Sequence, residues 1–377
     1  MRKNAFKNLA LNALLSVTSV LVFAVVVELL LQVATPFFKP RFTKVDPYVG
    51  WYHYPGVSDD MTTEGHEYHL SYNSHGYRVP EHSFEKPDSV RRIILIGDSF
   101  VDGSEVGDQE VFSWHLQEQL PCVEVINLGV YGYSTAQELV TLERVGLRYD
   151  PDLVMVFTIT RDFEDNLKNY NEFGPIPRFL PDGDSLRFEG TDHPSAREVF
   201  RAVTLPVPGR TFLFRHSHLY YLLNRRIYQR LKYDRMRAIR HEQAAALSLE
   251  DQRDLYRQLI VRMKGLSEVS GAEFLPVFIY LRDQLVEGRG SPNGELVTDL
   301  AASGVAALDL YEDLRHAQRS APSPLYYAED IHWNPDGHKA VAGLLARHLD
   351  SWLHSDPSVA CEASPLRDGQ RPQDVAR

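Results

Sequence analysis

An α/β fold built on a parallel five-stranded sheet is predicted by three observations. Continuous apolar runs recur along the chain, helical patterns alternate with them, and the residues able to do chemistry stand just beyond the ends of runs. Ile93-Ile94-Leu95-Ile96 is the first run, as expected of a strand covered on both faces. Val123–Leu128, Leu153–Ile159, Phe274–Tyr280 and Val305–Leu310 repeat it. Between them, Val111–Leu120 carries Phe112, Leu116 and Leu120 on one stripe. Ser134 with Gln137 three positions on is a capping box that opens a helix reaching about Arg148. A longer helix covers about Leu249–Ser270 and stops at Gly271. The last takes Asn334 as N-cap and Pro335 as its first residue, and runs to about Leu353. Alternation of this kind predicts helices on both faces of the sheet, with sites at the C-terminal ends of strands.

The N-terminus reads differently. From about Leu9 to Val27 the chain carries no charge and is dominated by Leu, Val and Ala. About 20 helical residues span the roughly 30 Å of a hydrocarbon core. The run is longer than a signal-peptide core and no small-x-small site follows, which favours an uncleaved anchor over a cleaved signal. Glu28 then stands near the far interface. Arg2, Lys3 and Lys7 before the span are balanced by Lys39, Arg41 and Lys44 after it, so charge does not orient it. A short N-terminal tail before a large domain fits a signal anchor that exports that domain to the periplasm or cell surface.

The expected organisation is therefore an anchor over 1–38, a β/loop extension over 39–90, the main domain over 91–355 and a disordered tail over 356–377. The extension is rich in aromatics and turn residues, as in short hairpins. Its histidines, His53, His66, His69, His75 and His82, match no strong metal spacing, and Glu64, His66 and His69 read better as packing or surface groups. An insertion over about 165–245 separates the third and fourth strands. Phe173–Pro208 reads as loop; Thr211–Gln243 reads as helical and arginine-rich (Arg225, Arg226, Arg230, Arg235, Arg237, Arg240), either a solvated helix or a cap over a substrate cleft.

A hydrophobic content of 44% fills a sizeable core, and a net charge of −11 without a basic stripe argues against nucleic acid as a partner. No Gly-rich phosphate loop precedes a helix, which argues against a nucleotide binder. Cys122 and Cys361 leave a disulfide open and do not fix the compartment.

Ser99 follows the first strand in Gly97-Asp98-Ser99-Phe100. A serine hydroxyl needs a base to act as nucleophile, and His332, just before the capped last helix, is the candidate. Asp330 is placed to orient its imidazole, since residues two apart in an extended segment share a side; Glu329 is the fallback. The backbone N–H groups of Ser99 and Gly129 are candidate oxyanion donors.

These segments resemble the SGNH/GDSL hydrolase family, in particular its membrane-anchored bacterial members. Gly97-Asp98-Ser99-Phe100 resembles the first block, Asn127-Leu128-Gly129-Val130-Tyr131-Gly132-Tyr133-Ser134 the second, and Asp330-Ile331-His332-Trp333-Asn334-Pro335 the last. The likeness covers about residues 45–350, including Asn73-Ser74-His75-Gly76-Tyr77-Arg78. It implies a flavodoxin-like three-layer α/β/α fold and ester hydrolysis or acyl transfer on an acylated glycan or lipid, with no metal or other cofactor. It also implies Ser99 as nucleophile, His332 as base and Gly129 as oxyanion donor. The family's usual Asp-x-x-His selects Glu329 here, whereas its acetyltransferase-like branches show Asp-x-His, which selects Asp330. The departure is Thr160-Arg161-Asp162, where the family carries Asn-Asp after the third strand. Arg161 then either holds the oxyanion with its guanidinium or marks a catalytically impaired binding protein on the same fold. Asn166 substitutes for the missing Asn only if its loop bends back.

Overall fold

The computed structural model describes residues 2–34, 42–88, 90–120, 123–159, 166, 175–182, 185–191, 207–210, 212–213, 217–224, 248–285 and 290–353. Arg161, Cys122, Cys361, the six arginines between 225 and 240 and the tail over 356–377 lie outside them.

The central sheet contains β1 (Arg91–Ile96), β2 (Val123–Asn127), β3 (Leu153–Thr158), β4 (Glu273–Phe278) and β5 (Leu308–Asp309). The order is β5-β4-β3-β1-β2 and every pairing is parallel. β1 and β3 are buried at every position, which is why their sequences are unbroken apolar runs. β5 is shorter than its sequence run because it pairs only Leu308 and Asp309 with β4.

Helices cover both faces. On one, α3 (Phe112–Gln119) packs against α8 (Pro335–Leu353); on the other, α4 (Thr135–Arg144) packs against α5 (Leu249–Val269). The fold is the three-layer α/β/α expected. Ser134 donates its N–H to Gln137 Oε1 at 3.2 Å, and Gln137 Nε2 reaches on to the Val49 carbonyl at 2.8 Å. Gly271 ends α5 at φ +84°. Asn334 caps α8, accepting from the Gly337 N–H at 3.0 Å. Two helices escaped the sequence pattern, α6 (Gly294–Ala302) and α7 (Tyr311–Ser320). They span nine and ten residues.

The extension forms two antiparallel hairpins, Thr43–Asp46 with Gly50–His53 and Ser58–Thr63 with His66–Ser71. Trp51 is fully buried and donates Nε1–H to the Tyr131 carbonyl at 3.1 Å, so the extension is part of the core. Within the insertion, Arg178–Asp182 pairs with Ser185–Gly190 where the sequence read as loop. Phe179 and Leu186 supply the buried side chains that favour a hairpin there.

The helix α1 (Arg2–Ala34) carries an apolar stretch, Leu11–Val33, of mean hydropathy 2.6, long and apolar enough to cross a membrane. Glu28 does not simply face an interface. Its carboxylate accepts from Ser217 Oγ–H at 2.7 Å, the His218 N–H at 2.9 Å and the Leu219 N–H at 3.0 Å, at the start of the short helix His218–Leu222.

Arg92 locks the sheet to the chain around it. Its buried guanidinium donates to Glu124 Oε2 at 2.6 Å and to the carbonyls of Phe84, Tyr149 and Glu85 at 3.2, 2.8 and 3.1 Å. Arg92→Leu strands a nearly buried carboxylate and three carbonyls, and should cost about 3 kcal/mol in urea unfolding. A loss under about 1 kcal/mol would mean that the pair behaves like a surface ion pair.

Candidate active site

β1 ends at Ile96, and Gly97 turns the chain into a one-turn helix, α2 (Ser99–Asp102), that stands beyond the sheet edge. Asp98 caps it, accepting from the Phe100 N–H at 2.9 Å. Gly103 closes it in the left-handed region at φ +63°. Ser99 is thereby the first residue of a helix aimed outward from a rigid strand.

The neighbouring block holds α2 in place by close approach. A Cβ on Gly129 would lie 2.3 Å from the Asp102 backbone nitrogen, so only glycine fits there. Asn127 Nδ2 donates to the Val101 carbonyl at 2.6 Å, and Asn127 Oδ1 accepts from the Gly129 N–H at 2.9 Å. The Gly129 N–H thus already has an acceptor, and an oxyanion would have to share it. The Ser99 backbone N–H has no acceptor among the described residues.

The imidazole arrives on residues 325–334, which fold back on themselves. The Tyr327 N–H donates to the His332 carbonyl at 3.1 Å and the Asn334 N–H to the Leu325 carbonyl at 3.1 Å. His332 Nε2 lies 2.6 Å from Ser99 Oγ. On the other side of the ring, Nδ1–H donates to Asp330 Oδ1. A carboxylate only accepts, so this contact puts the neutral ring's proton on Nδ1 and leaves Nε2 free to take one from the serine. The segment is a bend, not the extended stretch the sequence suggested: Asp330 Oδ1 also accepts from the His332 N–H at 3.0 Å, which curls the backbone around the side chain. Glu329 is exposed. Phe100 packs against the ring, with its centroid 4.9 Å from that of His332, and Trp333 packs edge-on against Phe100, also at 4.9 Å.

Three contacts around this loop were not legible in the sequence. Glu64 sits at the tip of the second hairpin, with φ +47° and Gly65 after it at φ +85°. Its carboxylate accepts from three successive N–H groups, Ala328 at 2.8 Å, Glu329 at 2.7 Å and Asp330 at 2.7 Å. Desolvation is the largest single influence and raises its pKa, but the three donors together outweigh it, so the carboxyl is held below its usual range. Arg282 holds the carbonyls of Tyr327 and Ala328, each at 3.0 Å. Glu105 places Oε1 3.8 Å from His332 Nδ1, and its backbone carbonyl accepts from Tyr327 O–H at 2.7 Å.

Burial pulls the His332 pKa down, but Glu105, Asp330 and Asp98 outweigh it and raise it to about 9. Glu138, fully buried in α4, responds to the same acidic surroundings. Burial first and Asp98 second push its carboxyl well above the ordinary range.

The remaining sequence candidates lie elsewhere. Glu64, His66 and His69 do not converge: His66 meets Glu110 at 2.8 Å and His69 meets Asp60 at 2.7 Å. Among the described residues no group of His, Cys, Asp and Glu has the arrangement of a metal site. His53 is buried against Tyr72, and its pKa falls to about 3 through burial. Asn166 Oδ1 accepts from the Ala136 N–H at 2.9 Å, which commits that oxygen to the start of α4. Arg161 is outside the described residues.

A family model described as SGNH hydrolase-like domain, acetyltransferase AlgX, matches residues 291–377. The matched stretch contains the Asp330–His332 bend. The C-terminal stretch that carries His332 is therefore similar to an SGNH hydrolase-like domain. The family match lies C-terminal to Ser99 and Gly129, so those SGNH blocks rest on their own sequence and geometry. Solved structures similar to this chain include an acylhydrolase from Bacteroides fragilis NCTC 9343, described as putative in its own title. It has 14% identity and a TM-score of 0.39, over 72% of this chain and 92% of that one. The lipase/acylhydrolase from Enterococcus faecalis has 15% identity and a TM-score of 0.36, over 70% and 97%. The acetyl xylan esterase AlAXEase has 12% and 0.39, over 68% and 99%. No curated protein matches the chain.

Two outcomes follow from this geometry. An imidazole acts as base only when neutral, so labelling of Ser99 by a fluorophosphonate should rise with pH and level off above about 9. Glu105→Gln removes a charge that favours the imidazolium and should move that midpoint to lower pH; an unmoved midpoint would exclude electrostatic control by Glu105. Glu64→Ala frees the N–H groups of 328–330 and should slow labelling by about 10²-fold through misplacement of His332. Glu64→Gln, which keeps an acceptor oxygen, should retain part of the rate.

Proposed function

We propose that this SGNH-type enzyme is a membrane-anchored serine esterase or O-acyltransferase acting on an acylated glycan or lipid outside the cytoplasm. The coarse activity is that of an acylhydrolase or acyltransferase. The observation that carries the finer reading is the 2.6 Å contact between Ser99 Oγ and His332 Nε2, with Asp330 on the opposite ring nitrogen.

In this reading Ser99 Oγ attacks the ester carbonyl carbon as His332 Nε2 takes its proton. Asp330 stabilises the imidazolium that forms. The carbonyl oxygen becomes an oxyanion within reach of the Ser99 N–H, and each such donor is worth roughly 3 kcal/mol in the transition state. The C–O bond to the leaving alcohol then breaks and Nε2–H protonates that oxygen. A second hydroxyl, from water or from a sugar, attacks the acyl-enzyme while His332 takes its proton. Collapse of that second intermediate restores Ser99 Oγ–H. Hydrolysis and transfer differ only in the acceptor. Arg161, in the sequence position of the family's Asn, is the proposed third oxyanion donor. The apolar Leu11–Val33 stretch supports anchoring, and the acetylated substrates named for several similar structures motivate the substrate class.

The test is a Ser99→Ala variant with an unchanged melting temperature. It should lose fluorophosphonate labelling and at least about 10³-fold of acetyl release from acetylated oligosaccharides. A folded Ser99→Ala protein that keeps wild-type acetyl release would remove the proposal. Substantial wild-type turnover would also reject the reading of an impaired binding protein.

A further inference from the structure

A second concave site lies away from Ser99. The segment after α4 leads into the N-terminal end of β3, whereas Ser99 follows the C-terminal end of β1; the two strands run parallel, so these are opposite edges of one sheet. Between α4 and the N-terminal extension there is a cavity of about 270 Å³, walled by Tyr52, Tyr77 and Phe84 and by the side chains of Arg144 and Arg148, with Asp46 at its margin.

The Arg144 guanidinium lies 3.8 Å from the Tyr48 ring centroid, and that of Arg148 lies 3.9 Å from the Phe84 centroid. Stacking fixes the planes of both groups. Their N–H edges have no acceptor, and no carboxylate lies within 4.0 Å of either among the described residues. Arg78, Arg92, Arg262 and Arg315, by contrast, each face a carboxylate. Asp46 lines the same cavity but is not paired with either guanidinium; its Oδ1 accepts from the N–H groups of Tyr48 and Val49 at 2.7 and 2.9 Å. In a protein of net charge −11, two oriented guanidinium groups against a single carboxylate give this cavity a local positive excess.

The walls say what kind of anion fits. A guanidinium fork matches a carboxylate or a phosphate through paired N–H donors. The aromatic faces accept an apolar ring face, and tyrosine hydroxyls pair with hydroxyl edges. The volume is just below the roughly 300–1,000 Å³ of drug-sized sites, enough for one ring rather than a long chain. We propose that this cavity binds an acidic sugar unit, a single ring bearing a carboxylate or phosphate that the Arg144 and Arg148 forks hold. The proposal is independent of the chemistry at Ser99.

Calorimetric titration of the full-length protein in detergent, with glucuronate, glucose 6-phosphate, glucose and inorganic phosphate in turn, tests it. At least one of the two acidic sugars should bind, more tightly at low salt, while glucose should not; which one binds identifies the carboxylate or the phosphate as the recognised group. The double variant Arg144→Gln/Arg148→Gln should weaken binding by about tenfold or more. A control of equal charge change, Arg253→Gln/Arg347→Gln, should not. Cleavage of a small acetyl ester should be the same in all three proteins. If the double variant does not fold, Arg144→Lys alone, which keeps the charge and loses the fork, should still weaken binding. No binding of either acidic sugar, equal binding of glucose, inorganic phosphate binding as tightly as the sugars, or an unaffected arginine variant would each overturn the proposal.

Discussion

The site depends on one long-range meeting: a hydroxyl on a short helix near the start of the sheet and an imidazole 233 positions later in the chain. The two lie on separate elements, so local propensity does not bring them together. Their approach is fixed from two directions. α2 is rigid because it grows from a fully buried strand and packs against Gly129 at backbone contact. The imidazole loop is irregular, and its backbone groups are satisfied by distant parts of the fold. Glu64 takes three N–H groups, Arg282 takes two carbonyls, and the Tyr326 and Tyr327 hydroxyls reach the carbonyls of Tyr280 and Glu105, each at 2.7 Å. A loop carrying a base needs such partners, because each unfixed bond is a route for the nitrogen to drift out of reach.

This arrangement gives the N-terminal extension a role that its sequence does not advertise. Its first hairpin packs through Trp51 into the core. Its second carries Glu64 to the bend before His332. The turn that does so places a non-glycine residue at positive φ, a conformation that costs something and is retained where the surrounding contacts hold it. The extension is thereby a brace between the sheet and the last helix.

What could be read from residues alone follows the range of the interactions involved. The strands were legible because burial on both faces demands continuous apolar runs. The starts of α4 and α8 were legible because Ser134, Gln137 and Asn334 act within one turn. Asp330 was legible as the partner of His332 because it lies two residues away, although the bend that joins them was not, since it depends on Asp330 accepting from the His332 backbone. Glu64, Glu105 and Arg282 were out of reach for the opposite reason. Each meets the loop across more than 40 positions, and nothing in its local sequence marks it. Glu64, His66 and His69, read from the sequence as packing or surface groups, point to different partners in the structure.

The electrostatics of the site then constrain its chemistry. Glu105, Asp330 and Asp98 all favour the imidazolium, while burial, and after it the charge of Asp98, raises the carboxyl of Glu138. With a pKa near 9 the resting ring carries two protons at neutral pH, and Nε2–H points at the serine. That state suits protonation of a leaving alcohol but blocks removal of the Ser99 proton. Burial is the one influence that works in the other direction on this histidine. In the proposed reaction, a substrate covering the exposed side of Asp330 and His332 would exclude water there and strengthen that influence. On the proposed mechanism the two influences would act in turn: covering by substrate would favour the neutral ring that begins the attack, and the acidic neighbours would stabilise the charged ring formed during it.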